Sequence, residues 1–550
     1  MNYIYFFVLY YFLFFLGRAL LITINKNGQG FNENNKIVNS EIYIFYPSLA
    51  LFFLGNLAIV LNFFFSLNST KTILIFICLL FLIVNFKENL VFSYKDFFIT
   101  NLVIPGILNI STYKMWLHYD AGLYHLNNQL WINESKVVFG LGNVNMWFSW
   151  SSLFEYISSY FWLGENFIGL HYLNIIFFAL FYSFLYFQIV QSSNKFLKYS
   201  SLNIVAFGLL DNFGINGGGN GFLFFQTVGK PDTAFTVIFF ITLMLLINSI
   251  LENKYSNKYF TFFLYLSFFS IQLKAFGLYL IPLLIFYFYN LDQKLKIIKN
   301  LKLLISLSII WCLKNIIISG CLFFPFEFTC FDNLSWYSRG RATIAREALA
   351  NQHIAYLFNK PLDIWFTDWI LHGKNYQIYT NFFISFIILL FLNFIFFKND
   401  KKFINKKIVA IRIYQLILLF SWIGSAPNSR FGMIICLMLV GLIRINFLER
   451  DFQLKILLNK NFILIILFIS VLLTPRFYSY QELSDTPFKL TEIKSPEQQY
   501  IDSKNNWAVY PVNNDNRCWV NINCMDHEKN IFPETLGSYK LFKSEIFKSN

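Results

Sequence analysis

Apolar residues run along this chain in long blocks. They follow neither the alternation of a half-buried strand nor the three-to-four spacing of an amphipathic helix. A helix needs about 20 mostly apolar residues to cross the hydrocarbon core of a bilayer, with a range near 17–25. Read that way, the blocks Tyr3–Ile22, Tyr43–Leu67, Thr72–Phe86, Phe167–Val190, Thr233–Leu251 and Phe276–Tyr289 are expected membrane helices. So are Leu301–Ser319, Asn381–Phe397, Val409–Ile423, Phe431–Ile445 and Phe462–Leu473. Weaker blocks at Phe97–Ile110, Ser201–Leu210 and Tyr259–Ile271 bring the expected total to about 12–14 transmembrane helices.

Three polar stretches are too long to be turns: Ser111–Asn166, Cys321–Asn375 and the tail Thr474–Asn550. The tail carries Pro475, Pro487, Pro496, Pro511 and Pro533, which suits a small appendage better than another helix. The expected organisation is all-α and integral to the membrane. Residues 1–473 form a polytopic domain that includes the loops 111–166 and 321–375, and residues 474–550 form the tail. No internal repeat is visible.

Charge placement orients this arrangement. Lysines and arginines gather in alternate connections: Lys26 and Lys36; Lys87 and Lys95; Lys195 and Lys198; Lys254 and Lys258; Lys294, Lys296, Lys299 and Lys302; Lys398, Lys401, Lys402, Lys406 and Lys407; Arg444, Arg450, Lys455 and Lys460. The intervening connections hold only Lys71, Lys114, Lys136, Lys230, Lys274 and Arg430. The positive-inside rule then assigns the first set to the cytoplasm. The long loops, the tail and both termini are expected outside, with the protein in the inner (plasma) membrane. The segment Met1–Leu21 lacks a basic start, and its Arg18 follows the apolar run, so it reads as a retained first helix rather than a cleavable signal.

Composition agrees. Of 550 residues, 56% are hydrophobic and 13% charged, against roughly a quarter charged in a soluble domain. Phe and Tyr contribute 71 and 32 residues, more apolar area than a soluble fold can hide. The net charge of +14 would point to nucleic acid in a soluble chain. Here the lipid bilayer is the expected partner, since basic loops lie against anionic lipid.

Cys78, Cys312 and Cys436 fall in apolar blocks, whereas Cys321, Cys330, Cys518 and Cys524 fall outside. Four such residues allow three pairings, of which closeness in sequence favours Cys321–Cys330 and Cys518–Cys524. No CxxC or HExxH pattern occurs, so no structural metal site is expected and no cofactor is indicated, with a divalent metal left open.

The first long loop contains the richest chemistry: His118-Tyr119-Asp120-Ala121-Gly122-Leu123-Tyr124-His125, followed by Asn127, Asn128 and Trp131. A helix starting at Asp120 would place Tyr124, Asn127 or Asn128, and Trp131 on the carboxylate's face. Such a stripe suits a sugar, which offers hydroxyls at its rim and C–H faces to aromatic rings. The same residues also suit an N-capped interfacial helix with its Tyr and Trp in the aromatic belt. Lys230, Lys274 and Arg430 stand at helix ends in apolar surroundings, where an unpaired charge is expensive. They suit either phosphate binding or snorkelling to the interface. Asp211 and Glu155 are lone acids near the same boundary, and either could take the place of Asp120. Gly217-Gly218-Gly219-Asn220-Gly221 lacks the Lys-Ser/Thr of a phosphate loop. Ser338-Arg339-Gly340-Arg341 and Arg346 open an amphipathic segment running to Phe358, which suits a basic surface helix or contact with anionic lipid.

The run from Tyr119 to His125 together with Gly140-Leu141-Gly142-Asn143 resembles a family of large, uncharacterised bacterial polytopic membrane proteins. Pro231-Asp232, Lys274, Lys314-Asn315 with Gly320 and Pro325, Ala426-Pro427 with Arg430-Phe431, and Cys518-Trp519 with Cys524 extend the resemblance in order along most of the chain. Where that pattern tends to His-Gly-Arg after the Gly-Asn, this chain has Asn145-Met146-Trp147.

That family in turn resembles GT-C glycosyltransferases, whose essential acid lies in an early extracytoplasmic loop. The resemblance implies transfer of a sugar from a polyprenyl-phosphate carrier to a glycan or lipid acceptor of the cell envelope. It implies Asp120 as the base, Tyr124, His125, Trp131 and Asp232 around the substrate, and Lys230, Lys274 and Arg430 at the phosphate. A surface-polysaccharide polymerase or ligase, or a transporter or flippase without chemistry, are the alternatives.

Overall fold

The computed structural model describes residues 1–24, 43–84, 93–150, 152–214, 226–292, 294, 301–351, 361–371, 375–396, 406–425, 427, 429–447, 459–488, 490–502, 507–512, 516–525 and 531–544. The glycine run 217–221 and the end of the basic segment at 358 lie outside them. Among the described residues, six helices are long and apolar enough to cross a bilayer: Asn2–Thr23, Ile168–Val190, Asp232–Leu251, Lys302–Ser319, Asn375–Ile395 and Lys406–Gly424. A bent pair, Asn461–Leu473 and Phe477–Asp485, makes a seventh if it is one span.

Several blocks that hydropathy alone counts as spans are shorter or interrupted. The helix that begins at Tyr46 stops at Asn62, and the next starts at Leu67. The block Phe97–Ile110 is broken into a five-residue α-helix, a π turn, a second short helix containing Pro105 and a 3-10 turn. Hydropathy reports apolar character and is blind to these breaks.

Helix Ile168–Val190 is the centre of the bundle, buried from Ile168 to Ile189. At about 1.5 Å per residue it is roughly 34 Å long, close to the thickness of a bilayer core. The outer helices turn apolar side chains away from the protein. Ile384, Ile387, Phe391 and Phe394 do so on Asn375–Phe396, and Ile413, Leu416, Ile417 and Phe420 on Lys406–Ser425. Such a belt is stable against lipid, and helices satisfy their own backbone groups there. The protein is an all-α, multi-pass membrane protein.

The tail does not hang free of this bundle. Asn2 donates to Thr491 Oγ1 at 2.9 Å, and Phe167 N–H donates to Ile493 O at 2.9 Å. Strands Pro533–Leu536 and Tyr539–Phe542 pair antiparallel. The second of them docks on Phe139, whose N–H donates to Lys540 O at 3.0 Å and whose carbonyl accepts from Phe542 N–H at 2.8 Å. Val137, Val138, Leu141, Val144 and Phe148 then share a second apolar core with Ala508, Met525, Ile531 and Phe542 of the tail.

The Gly140–Asn143 motif explains this junction. Gly140 has φ +67°, and a Cβ there would meet Phe542 O at 2.2 Å, so only glycine lets the tail strand approach. Asn143 Nδ2 donates to Phe542 O and to Trp336 O, each at 2.8 Å, tying both long loops to the tail. Asn143→Ala should strand both carbonyls and destabilise this junction by about 1–3 kcal/mol. Thermal melting in detergent should move down and protease should release the tail sooner. Unchanged melting would show that the junction does not depend on this amide.

Candidate functional site

A 330 Å³ cavity opens where several helices end together. Its walls come from the first turns of Asp232–Leu251 (Asp232, Phe235, Thr236) and the last turn of Asn257–Leu273 with the adjoining Lys274 and Phe276. Trp311 and Asn315 of Lys302–Ser319, Trp422 of Lys406–Ser425, and Phe431 with Ile434 of Ser429–Gly441 complete this side. The basic residues Lys254, Lys258, Lys302, Lys406 and Lys407 stand at the opposite ends of the same helices. There Lys407 Nζ donates to Ile250 O at 2.8 Å. The first long loop roofs the cavity with Tyr124, His125, Asn128, Trp147, Trp150 and Glu155.

Glu155 is the buried acid of this roof. It belongs to a helix, Leu153–Ser159, that begins with the capping pattern Ser152-x-x-Glu155. Ser152 Oγ accepts from Phe154 N–H at 3.1 Å. The Glu155 carboxylate does not fold back on its own helix as that pattern usually does. Oε1 bonds His125 Nδ1, and Oε2 accepts from Gln129 Nε2 at 2.7 Å. Gln129 is fixed from its other side by Trp162 Nε1, 2.7 Å from Oε1. Lys314, fully buried between the Tyr156 and Trp311 rings, feels the charge of Glu155. A carboxylate buried this deeply needs such partners, because an uncompensated charge away from water costs several kcal/mol.

The imidazole is thereby oriented. With Nδ1 toward the carboxylate, His125 Nε2 is buried and has no hydrogen-bond partner within the described residues. Asn128 Oδ1 and Trp311 Nε1 are in the same condition. Aromatic rings stand around them: Tyr124 stacks on Trp147 at 5.9 Å, and Trp147 meets Trp150 at 4.9 Å. Across the cavity Lys274 pairs with Asp232 and lies 4.7 Å from the Phe431 ring. The site therefore offers a proton acceptor, a cation and sugar-sized aromatic faces within one enclosure. No cluster of three or more His, Cys, Asp or Glu converges among the described residues.

Of the residues singled out from sequence, Tyr124, His125, Asp232 and Lys274 meet at the cavity. Arg430 stands in the first turn of Ser429–Gly441, one residue before the lining Phe431. Lys230 is buried one residue before the lining Pro231. Asp120 lies beside His118, 3.7 Å from its Nδ1, and is not part of the lining. Trp131 is turned away into the second core, against Phe542 at 5.8 Å.

The expected stripe is only partly kept. Residues Ala121–His125 form a π turn, closed by Leu126 N–H on Ala121 O, before the α-helix Leu126–Glu134 begins. Tyr124 packs against the second core that holds Trp131 and also reaches the cavity, whereas Asp120 lies beside His118. Glu155, Trp147 and Trp150 carry more of the site than the sequence indicated. The Ser152-x-x-Glu155 spacing was the available signal for Glu155.

The π turn is held from outside by the tail. Trp519 lies in the loop closed by the Cys518–Cys524 disulfide, and its N–H donates to Gly122 O at 2.8 Å. A Cβ on Gly122 would meet the indole at 2.7 Å. Arg517 lies 5.4 Å from both the Tyr119 and Trp519 rings.

Residues 1–437 match the family model described as "Domain of unknown function (DUF8201)". The chain belongs to that family. No curated protein and no solved structure matches it. The family match ends before the tail, so the Trp519 loop that braces the π turn lies beyond it.

The Gly122–Trp519 contact has a steric signature. Gly122→Ala should destabilise by about 1–3 kcal/mol through overpacking. Combined with Trp519→Ala, the double variant should lose less than the sum of the single losses, because the space vacated by the indole accepts the methyl. Thermal melting of the four proteins measures this coupling. Strict additivity would mean that the two residues do not touch.

Proposed function

We propose that this cavity is the active site of a membrane glycosyltransferase that moves a sugar from a polyprenyl-phosphate carrier to a cell-envelope acceptor. The observation that carries the reading is the buried Glu155–His125 pair in the lining of an aromatic cavity at the ends of membrane helices, with His125 Nε2 lacking a hydrogen-bond partner among the described residues. Sugar transfer from a lipid phosphate needs a base for the acceptor hydroxyl and a cation near the departing phosphate. In this reading His125 Nε2 takes the hydroxyl proton. The acceptor oxygen forms its bond to the anomeric carbon, and the carbon–oxygen bond to phosphate breaks, with the electron pair leaving on phosphate. Glu155 orients the imidazole and offsets the positive charge it acquires, the role an acid plays behind a catalytic histidine. Trp147, Trp150 and Tyr124 offer faces to the sugar, and Lys274 stands nearest to the phosphate.

The reading moves the base from Asp120 to His125. It keeps the early loop as the seat of the chemistry. It also sets the cavity, the long loops and the tail on the extracytoplasmic side of the plasma membrane. The gathering of lysines at the opposite helix ends supports that orientation.

Purified protein in nanodiscs, offered a panel of polyprenyl-phosphate sugars with candidate acceptors, tests the reading. His125→Gln and Glu155→Gln should each lower transfer by about 10²–10⁴-fold, and Asp120→Asn by less than about tenfold, since Asp120 lies beside His118 outside the cavity lining. Full activity of His125→Gln would overturn the assignment. Movement of the lipid-linked sugar across the bilayer without transfer would put the chain among flippases instead.

A further inference from the structure

The loop that closes the cavity on its far side has an apolar exterior without a protein partner to cover it. Cys321–Cys330 is joined by a disulfide, and the loop inside is held shut by Leu322 N–H on Thr329 O at 3.0 Å and Phe323 N–H on Thr329 Oγ1 at 3.1 Å. Its inner side, Phe323 to Pro325, lines the cavity, and Phe326 stands at the rim between the two sides. Its outer side exposes Phe328 at 88%, Phe326 at 45% and, just past the disulfide, Phe331 at 41%. Large aromatic side chains held out by a closed loop are costly in water relative to burial.

The position of the loop says what covers it. It follows the span Lys302–Ser319 directly, so it starts at the membrane boundary, next to the lipid-facing Ile309 and Leu313 of that span. The acids that would oppose insertion are paired. Glu327 accepts from Thr343 Oγ1 at 2.9 Å and faces Arg346 at 3.6 Å, while Asp332 accepts from Arg339 at 2.8 Å. Both arginines lie on the helix Arg339–Asn351, which buries Ala342 and Ala345 and exposes Ile344. A basic helix with an outward apolar residue beside an aromatic tip is the arrangement of a segment lying in a lipid interface.

We infer that the Cys321–Cys330 loop is a lip inserted into the adjoining bilayer leaflet, and that a lipid-anchored ligand passes along its aromatic side chains into the cavity. The insertion stands on the loop's own geometry. The passage rests on the proposed function, since it supposes a lipid-linked donor.

Two measurements separate these claims. A nitroxide at position 328, in full-length protein in liposomes with Cys78, Cys312 and Cys436 replaced by Ser, should collide with oxygen and be shielded from a water-soluble nickel chelate. A nitroxide at the exposed position 502 should show the opposite. Equal nickel accessibility at both positions would overturn the insertion, whatever the enzyme does. For the passage, Phe328→Ser with Phe331→Ser, both outside the cavity lining, should raise KM for a long-chain polyprenyl-phosphate sugar roughly tenfold or more. The KM for a short-chain, water-soluble donor should stay unchanged. An equal rise for both donors, or no rise for either, would overturn the lipid route. Failure of the wild-type protein to transfer any sugar would overturn the proposed function and leave the nitroxide result intact.

Discussion

Glu155 is buried at the end of a membrane bundle, and an ion there is tolerated only if the protein supplies what water would have supplied. Two segments do so. The π turn brings His125, and the helix after it brings Gln129. Each partner is itself held. Trp162 fixes Gln129, and Trp519 presses the π turn through Gly122. Loosening any one of these would leave a buried charge short of a partner, which is more damaging than the loss of an ordinary surface pair.

That requirement ties distant parts of the chain to one place. The tail strand on Phe139, the disulfide loop on Gly122 and the amide of Asn143 between Phe542 and Trp336 all brace the roof from the side away from the membrane. The helix ends brace it from below. Ser152, which caps the helix of Glu155, donates to Leu273 O at 2.8 Å, one residue before Lys274. The neighbouring Gln272 exchanges amide hydrogen bonds with Asn56. The cation and the histidine are thus set on opposite walls by a continuous chain of buried polar contacts. Preorganisation of this kind is what a transferase needs from its scaffold.

Much of this was readable in the sequence, and the limits have physical causes. The apolar blocks announce membrane helices because the bilayer imposes a length. Among the described residues six helices reach spanning length, and the block Phe97–Ile110 is broken by turns that hydropathy does not register. The motif from Tyr119 to His125 marks the right loop, since Tyr124 and His125 reach the cavity, as do Asp232 and Lys274. A π turn, which the residue types do not announce, stands at Ala121–His125, with Trp131 in the second core and Asp120 beside His118. The Glu155–His125 contact joins residues 30 apart through a fold that local patterns do not encode, and the Trp519 wedge joins a tail to a loop almost four hundred residues earlier.

The most direct test of the central claim is the structure of the protein with a non-transferable phosphonate analogue of a polyprenyl-phosphate sugar. The expected density places the sugar ring against Trp147 and Trp150 and the phosphonate beside Lys274. An acceptor oxygen should then be able to sit within about 3.2 Å of His125 Nε2. Density for the analogue elsewhere in the bundle, with this cavity empty, would contradict the claim.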